Sequence, residues 1–254
     1  MRYIFFFCFL LLFNLKLFAQ YSDGMTGLLH TPSAEMQQDA MFMAGGGFLN
    51  KELTPNTHPM TWSYHTFNYY INVTFFPFLE VGYICTPFKR SVGSLPRKWR
   101  GQDRHFAVRL RVLKEGQFWQ YMPAIVLGTS DPFTTFQKSA TPGAEGNGHF
   151  NKYYIAATRH FDIRGGVLGV HLSYLYNVRK KDKLNGPGVG VSYDVTAVKG
   201  LRVLAEYDAK DFYIGVHYRV MRKLMLQAMM QNGQYLSGGL TFLLPLHARK
   251  NKKK

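Results

Sequence analysis

The chain is poor in cysteine, in acidic residues and in long apolar runs. Two cysteines among 254 residues are too few for a disulfide scaffold or a cysteine-rich zinc site. Charged residues make up only 18%, and 31 Lys and Arg outnumber 15 Asp and Glu, which gives a formal net charge of +16. This excess makes nucleic acid or an anionic surface the first partners to consider. After the first residues no apolar run reaches about 18 residues, so no transmembrane helix is predicted.

The N-terminus has the order of features of a secretory signal peptide. A basic Arg2 is followed by an apolar run over residues 3–13, and a small residue, Ala19, offers a cleavage position. The alternative is an uncleaved membrane anchor, but Asn14 and Lys16 leave the run too short to span a bilayer. The sequence therefore predicts a signal peptide over residues 1–19.

Cleavage would change what the rest of the chain can do. Removing 19 of the 254 residues leaves 235, and the loss of two basic residues lowers the charge from +16 to +14. Cys85 would be the one remaining cysteine, so no internal disulfide could form and a structural role is expected for it. An exported chain also argues against nucleic acid as a partner.

The exported part is dominated by alternation with a period of two, which indicates β-strands. In residues 66–75 the odd positions are apolar or aromatic and the even positions are mostly polar. A strand of this length and pattern is typical of outer-membrane β-barrels. Similar segments recur about twelve times, and their predicted spans are 40–49, 61–76, 78–86, 104–114, 119–130, 150–161, 165–177, 187–195, 201–208, 211–219, 222–231 and 234–244.

These segments predict an all-β, antiparallel, up-and-down transmembrane β-barrel of about twelve strands over residues 40–245. Long and short links alternate for the first eight connections, as external loops and periplasmic turns do. A secreted soluble β-sandwich would alternate too. The barrel is favoured because the apolar face is rich in Phe and Tyr and the other face carries charges that a dry core would not tolerate. Residues 20–39 are predicted as a periplasmic lead-in or a plug, and residues 246–254 as a basic, solvated tail.

Four segments in order resemble the YjbH family of outer-membrane proteins, which is linked to exopolysaccharide biosynthesis. They are residues 27–34 (GLLHTPSA), 75–81 (FFPFLEV), 108–116 (VRLRVLKEG) with 123–128 (PAIVLG) and Asp131, and 153–159 (YYIAATR). The chain is shorter than the long members of the family, which look like fused repeats of such a module. The resemblance implies an outer-membrane barrel that takes part in the assembly or export of a surface polysaccharide.

Eight charged residues are predicted to lie in the lumen or at its rim. They could contact a polar or anionic glycan, or they could form a self-neutralising network that plugs a narrow barrel, since twelve strands lie between filled and open barrels. The eight are Glu80, Arg109, Arg111, Glu115, Asp131, Glu206, Asp208 and Arg219.

Two predicted external loops are strongly basic. They could attract an acidic polysaccharide, or they could dock against the phosphates of lipopolysaccharide. The first loop holds Lys89, Arg90, Arg97, Lys98 and Arg100, and the second holds Arg179, Lys180, Lys181 and Lys183.

Signals for catalysis and for cofactors are weak. His171 and Ser173 share a strand face, but that face is predicted to point inward, and no G-x-S-x-G motif is present. The other histidines lack metal-ligand spacing, and the glycine-rich turn at 186–190 lacks the lysine of a phosphate-binding loop.

The sequence thus predicts a monomeric, non-enzymatic protein of a Gram-negative outer membrane, without cofactor or metal, that assists surface-polysaccharide assembly or export. Its expected partners are outer-membrane lipid and lipopolysaccharide, and possible further partners are an anionic polysaccharide and other export proteins. The main alternative is a general small-solute porin or a structural outer-membrane protein. A lipid-modifying hydrolase is the least favoured alternative.

Overall fold

The computed structural model describes residues 24–54, 64–92, 95–132, 150–177, 185–221 and 223–246. The predicted signal peptide, the second basic loop and nearly all of the basic tail lie outside these residues. Among the described residues, no helix is long and apolar enough to cross a membrane.

Twelve antiparallel strands close into one barrel. Each strand pairs with its neighbours in sequence, and β1 also pairs with β12 from Met41↔Pro245 to Phe48↔Gly238. The predicted fold class is confirmed. The strands are β1 (Met41–Leu49), β2 (Thr66–Phe76), β3 (Leu79–Val92), β4 (Leu95–Leu113), β5 (Ala124–Ser130), β6 (Lys152–Ile163), β7 (Gly166–Tyr176), β8 (Gly186–Val195), β9 (Leu201–Tyr207), β10 (Phe212–Val220), β11 (Leu224–Gln231) and β12 (Tyr235–Pro245).

The two faces of the wall differ as the alternation predicts. Outward side chains such as Phe67, Ile71 and Phe75 on β2 are about half exposed, whereas Asn68 and Asn72 between them point inward and are buried. Closure of the sheet removes the free edges that a sandwich would have, so the soluble sandwich alternative is wrong. An apolar, aromatic-rich outer surface around a polar interior is typical of barrels that cross an outer membrane.

The connections define two rims. The terminal rim holds the start of β1, the end of β12 and the links 77–78, 114–123, 164–165, 196–200 and 221–223. The distal rim holds 50–65, 93–94, 131–151, 177–185, 208–211 and 232–234. The two longest links, 50–65 and 131–151, belong to the distal rim, which is the pattern of the external side in bacterial barrels.

The largest departure from the predicted strands is at the distal rim. Within the predicted external loop 87–103, residues 87–92 and 95–103 belong to β3 and β4, which stay paired as far as Val92↔Leu95. Strand β2 pairs with β3 only as far as Cys85, and β5 pairs with β4 from Ala107 onward, so this ribbon rises above its neighbours. Pro87 and Pro96 suggested a loop, but cross-strand pairing carries the ladder past both prolines through two register shifts.

The start of β5 was also predicted too early. Residues 119–123 form part of a turn in which the Gly116 N–H donates to the Met122 carbonyl at 2.9 Å, and the strand begins after Pro123. The prediction failed because Trp119 and Tyr121 look like strand residues, yet both are well exposed at the terminal rim.

Candidate functional site

The interior of the barrel is occupied by the chain's own N-terminal segment. Residues 24–37, named here the plug segment, are all buried except His30, which is half-buried. Burial of the segment ends at Gln38 and Asp39, both exposed, just before β1 begins at the terminal rim. The segment does not pair as a strand in the barrel wall. Several of its polar groups instead form hydrogen bonds with charged side chains of the wall, at three anchors.

The first anchor is a fully buried ion pair between β3 and β4. Glu80 and Arg109 are directly opposite in the ladder, so both side chains point inward, and Arg109 Nη1 donates to Glu80 Oε2 at 2.9 Å. Glu80 Oε1 also accepts from the Thr26 N–H at 2.8 Å and from the Asn72 amide at 2.5 Å. Arg109 Nη2 donates to the carbonyls of Ser33 and Glu35. This one pair therefore holds both ends of the plug segment.

The second anchor lies near the terminal rim, around Glu35. Arg202 Nη1 donates to Glu35 Oε1 at 2.7 Å and also makes two hydrogen bonds to Asp194, its neighbour across the β8–β9 ladder. His160 bridges two carboxylates, with Nε2 3.1 Å from Glu35 Oε1 and Nδ1 2.7 Å from Glu115 Oε2. Burial favours a raised pKa for Glu115, but the hydrogen bonds from His160 outweigh it and hold that pKa below its ordinary value.

The third anchor lies near the distal rim, where the plug segment turns. Glu206 accepts the consecutive N–H groups of Leu29 at 3.0 Å, His30 at 2.5 Å and Thr31 at 3.0 Å. One carboxylate thus satisfies three backbone donors that would otherwise be buried without partners.

The ring of His30 extends this anchor to Asp208, in the link after β9. His30 Nδ1 lies 2.6 Å from Asp208 Oδ2, and the Tyr213 hydroxyl donates to the same oxygen at 2.8 Å. Burial favours a raised pKa for Asp208, but hydrogen bonds from His30, the Asp211 N–H and Tyr213 lower it to about 2. The carboxylate is therefore charged at neutral pH.

Apolar side chains of the plug segment complete the packing. Leu28 and Leu29 join a buried cluster with Leu204, Tyr213 and Met229 of the wall. Two further clusters form around Ala34 with Met36 and around Met25.

Inward glycines of the wall make room for these side chains. A Cβ at Gly188 would lie 2.8 Å from Thr31 Cγ2, and one at Gly82 would lie 2.5 Å from Met25 Sδ. Real Cβ atoms essentially never approach other atoms so closely, so a larger residue at either position requires the side chain of the plug segment to shift or to be replaced.

The eight predicted lumen and rim charges do not form one cluster. Glu80, Arg109, Glu206 and Asp208 contact the plug segment directly, and Glu115 reaches it through His160. Arg111 donates to the Pro77 carbonyl at the terminal rim. Asp131 is buried at the opposite rim in a left-handed backbone conformation, with φ of 52°. Arg219 lies towards the end of β10 at the terminal rim, where Arg202 is a nearby charge.

Sequence reasoning missed Glu35, Arg202, His160 and His30. Arg202 could have been predicted, because the alternation that turns Glu206 inward also turns Arg202 inward on the same strand. Glu35 and His30 had no such signal, since the plug segment has no periodicity and its contacts are as much as 178 residues apart in sequence.

The two predicted basic loops compare differently with the structure. Lys89, Arg90, Arg97, Lys98 and Arg100 lie on β3 and β4, so their prediction as a loop was wrong. Arg179, Lys180, Lys181 and Lys183 lie outside the described residues.

Of the two groups considered for catalysis, His171 is engaged in structural contacts. His171 is fully buried and lies within 3.0 Å of the Thr158 hydroxyl and 2.9 Å of the Ser192 hydroxyl. No hydrogen bond joins His171 to Ser173, whose hydroxyl has no partner among the described residues. Among all the residues that the structure describes, no group of three or more His, Cys, Asp or Glu side chains could hold a metal ion.

Comparison with known proteins gives a family match and remote likenesses to solved structures of outer-membrane proteins. The YjbH family model, described as exopolysaccharide biosynthesis protein YbjH, matches residues 19–254. The outer membrane phospholipase of Salmonella typhi, solved as a dimer with bound calcium, is 9% identical with a TM-score of 0.37, over 81% of this chain and 89% of that one. Outer membrane phospholipase A of Escherichia coli is 11% identical with a TM-score of 0.36, over 82% and 98%. No curated protein matches the sequence.

Proposed function

Because the chain belongs to the YjbH family of exopolysaccharide biosynthesis proteins, we propose that it assists the assembly or export of a surface polysaccharide from the outer membrane. The observation that carries this proposal is the family match over residues 19–254. The outer-membrane-type barrel supports it, because an antiparallel barrel with an apolar outer face is the form in which bacterial proteins cross the outer membrane, and a surface polymer has to pass that membrane.

The interior contacts favour a closed barrel over an open conduit in this role. Three anchors and three apolar clusters hold the plug segment, and they use the charges that an export channel would otherwise offer to a glycan. In the proposed function the lumen charges hold the plug segment, and partner proteins or an anionic polysaccharide are engaged at the rims.

A disulfide lock tests this function. Thr31 and Gly188 are in contact, so T31C and G188C in a C85S background are placed to join the plug segment to β8. Each single cysteine variant in the same background is the matched control. We expect deletion of the gene to reduce surface polysaccharide, and the oxidised double variant to restore it as well as the single variants do.

Other outcomes separate the alternatives. If deletion leaves surface polysaccharide unchanged, the proposed function is wrong. If the locked protein restores it only after a reductant opens the disulfide, the polymer needs the lumen and the closed-barrel role is wrong.

A general porin is the weaker alternative, because its lumen would have to hold water where the plug segment now packs. We also propose that the protein is not an enzyme. A lipid hydrolase needs a serine, a base and an orienting group within hydrogen-bond reach, and the pair considered from the sequence, His171 and Ser173, is not joined by a hydrogen bond. Phospholipid hydrolysis by the purified protein, with and without calcium, is the direct assay, and turnover would contradict the proposal.

A further inference from the structure

The ribbon formed by the ends of β3 and β4 carries positive charge that its own sequence does not balance. Residues 87–104, named here the basic ribbon, contain six Lys or Arg and one acid, Asp103. Asp103 is buried, and its Oδ1 lies 3.0 Å from His105 Nδ1, so its charge is directed to the interior. The basic ribbon therefore presents an excess of positive charge that an anion from outside its own residues can balance.

The two strands of the ribbon extend beyond the pairing of their neighbours. Among the described residues, β2 pairs with β3 only as far as Cys85, and β5 pairs with β4 only from Ala107 onward. The outward side chains above these pairs, such as Lys89 opposite Trp99, therefore stand clear of the paired wall.

Aromatic side chains fix where on the ribbon the anion would bind. Lys89 Nζ lies 4.9 Å from the centroid of the Tyr64 ring and 5.0 Å from that of Trp99, and the two rings meet edge to face at 5.5 Å. Trp99 also lies 6.1 Å from Phe67, which is exposed on the lipid-facing side of β2. The Lys89 ammonium is therefore held on the outward face of the barrel rather than over the lumen.

A second cation shares this face at a lower position. Arg104 is exposed and has the same parity on β4 as the outward Phe106 and Leu110. Aromatic rings beneath cationic side chains are the arrangement that membrane proteins use where hydrocarbon meets the polar headgroups. At the distal rim, the external side, the anions at that level are the phosphates of lipopolysaccharide.

We infer that the outward face of the basic ribbon, with Lys89, Trp99 and Arg104 at its centre, binds the phosphate groups of lipopolysaccharide in the outer leaflet. This site does not depend on the proposed polysaccharide role, because its ligand is a component of the membrane itself. Guanidinium and ammonium groups form charge-assisted hydrogen bonds to phosphate oxygens, and such bonds are stronger than neutral ones.

The test compares two variants of equal charge in full-length protein held in neutral phosphatidylcholine nanodiscs. K89Q/R104Q removes two charges from the basic ribbon. K199Q/K223Q removes two charges from exposed positions at the terminal rim and is the matched control. The probes are bis-phosphorylated lipid A, the same lipid A with its phosphates removed, and a soluble polyuronate that carries carboxylates alone.

We expect wild type and K199Q/K223Q to bind bis-phosphorylated lipid A with equal affinity, and K89Q/R104Q to bind it roughly fivefold or more weakly. Equal wild-type affinity for the two forms of lipid A would overturn the inference. So would an equal loss in both variants, or a loss in K89Q/R104Q confined to the polyuronate, which would identify an acidic polysaccharide as the ligand. Unchanged melting temperatures of both variants separate a binding loss from misfolding.

Discussion

The lumen and the basic ribbon both contain several charged residues, but the surroundings of these residues differ. In the lumen Glu80 and Arg109 are completely buried, and each has a charged partner as well as partners on the plug segment. On the ribbon, residues 87–104 hold six basic residues and one acid that is already engaged. The difference teaches that the inward charges hold the plug segment in place, whereas Lys89 and Arg104 point to the outer surface of the barrel.

The largest effect is expected from breaking the first anchor. Arg109→Met leaves Glu80 as a buried charge without its cation, which should lower the free energy of unfolding by about 3–5 kcal/mol. Urea unfolding of the barrel in lipid vesicles measures it. The double variant with Glu80→Gln should lose less than the sum of the single losses. A loss below about 1 kcal/mol for Arg109→Met would mean that the pair is not the buried anchor described.

A smaller loss is expected at the third anchor. Glu206→Ala leaves the N–H groups of residues 29–31 without their acceptor, at a cost of about 3 kcal/mol. Because the plug segment is then held less tightly, a cysteine at Thr31 should react faster with a water-soluble maleimide. Glu52→Ala, which removes an exposed carboxylate in the link after β1, is the control and should leave the labelling rate unchanged. An unaltered labelling rate in Glu206→Ala would show that Glu206 does not hold the plug segment.

Acid should weaken the same anchor in a defined range. The pKa of Asp208 is lowered to about 2 in the folded barrel, below its unfolded value of about 3.9. The charged Asp208 carboxylate therefore adds about 2 kcal/mol to the free energy of unfolding. This contribution is complete above pH 4 and is lost as the pH falls through 2. In Asp208→Asn the free energy of unfolding should depend less on pH in this acidic range. An identical acid dependence in wild type and variant would show that other groups cause it.

The smallest effect on stability is expected on the ribbon. Lys98→Gln removes one exposed charge of the basic ribbon, so the free energy of unfolding should change by less than about 0.5 kcal/mol. The measurement is the same urea titration as for Arg109→Met. If Lys98→Gln lowered the free energy of unfolding as much as a lumen variant does, the proposed difference between the two regions would be wrong.

The sequence predicts the wall better than the contents of the barrel. Alternation depends on neighbouring residues, so the twelve strands and the inward direction of Glu80 and Glu206 follow from local pattern. The plug segment has no period, and its partners, such as Glu206 for Leu29, are set by closure of the whole barrel. The ribbon was missed for another reason: proline and glycine mark a turn locally, but only the pairing of β3 with β4 decides how far the strands extend.

The central claim is that the plug segment closes the lumen, and planar-bilayer conductance of the disulfide-locked T31C/G188C barrel tests it most directly. The locked protein and the wild type should both lack the steady conductance of an open porin. A steady conductance through the locked barrel, with its disulfide verified, would show that water and ions pass beside the segment and would contradict the claim.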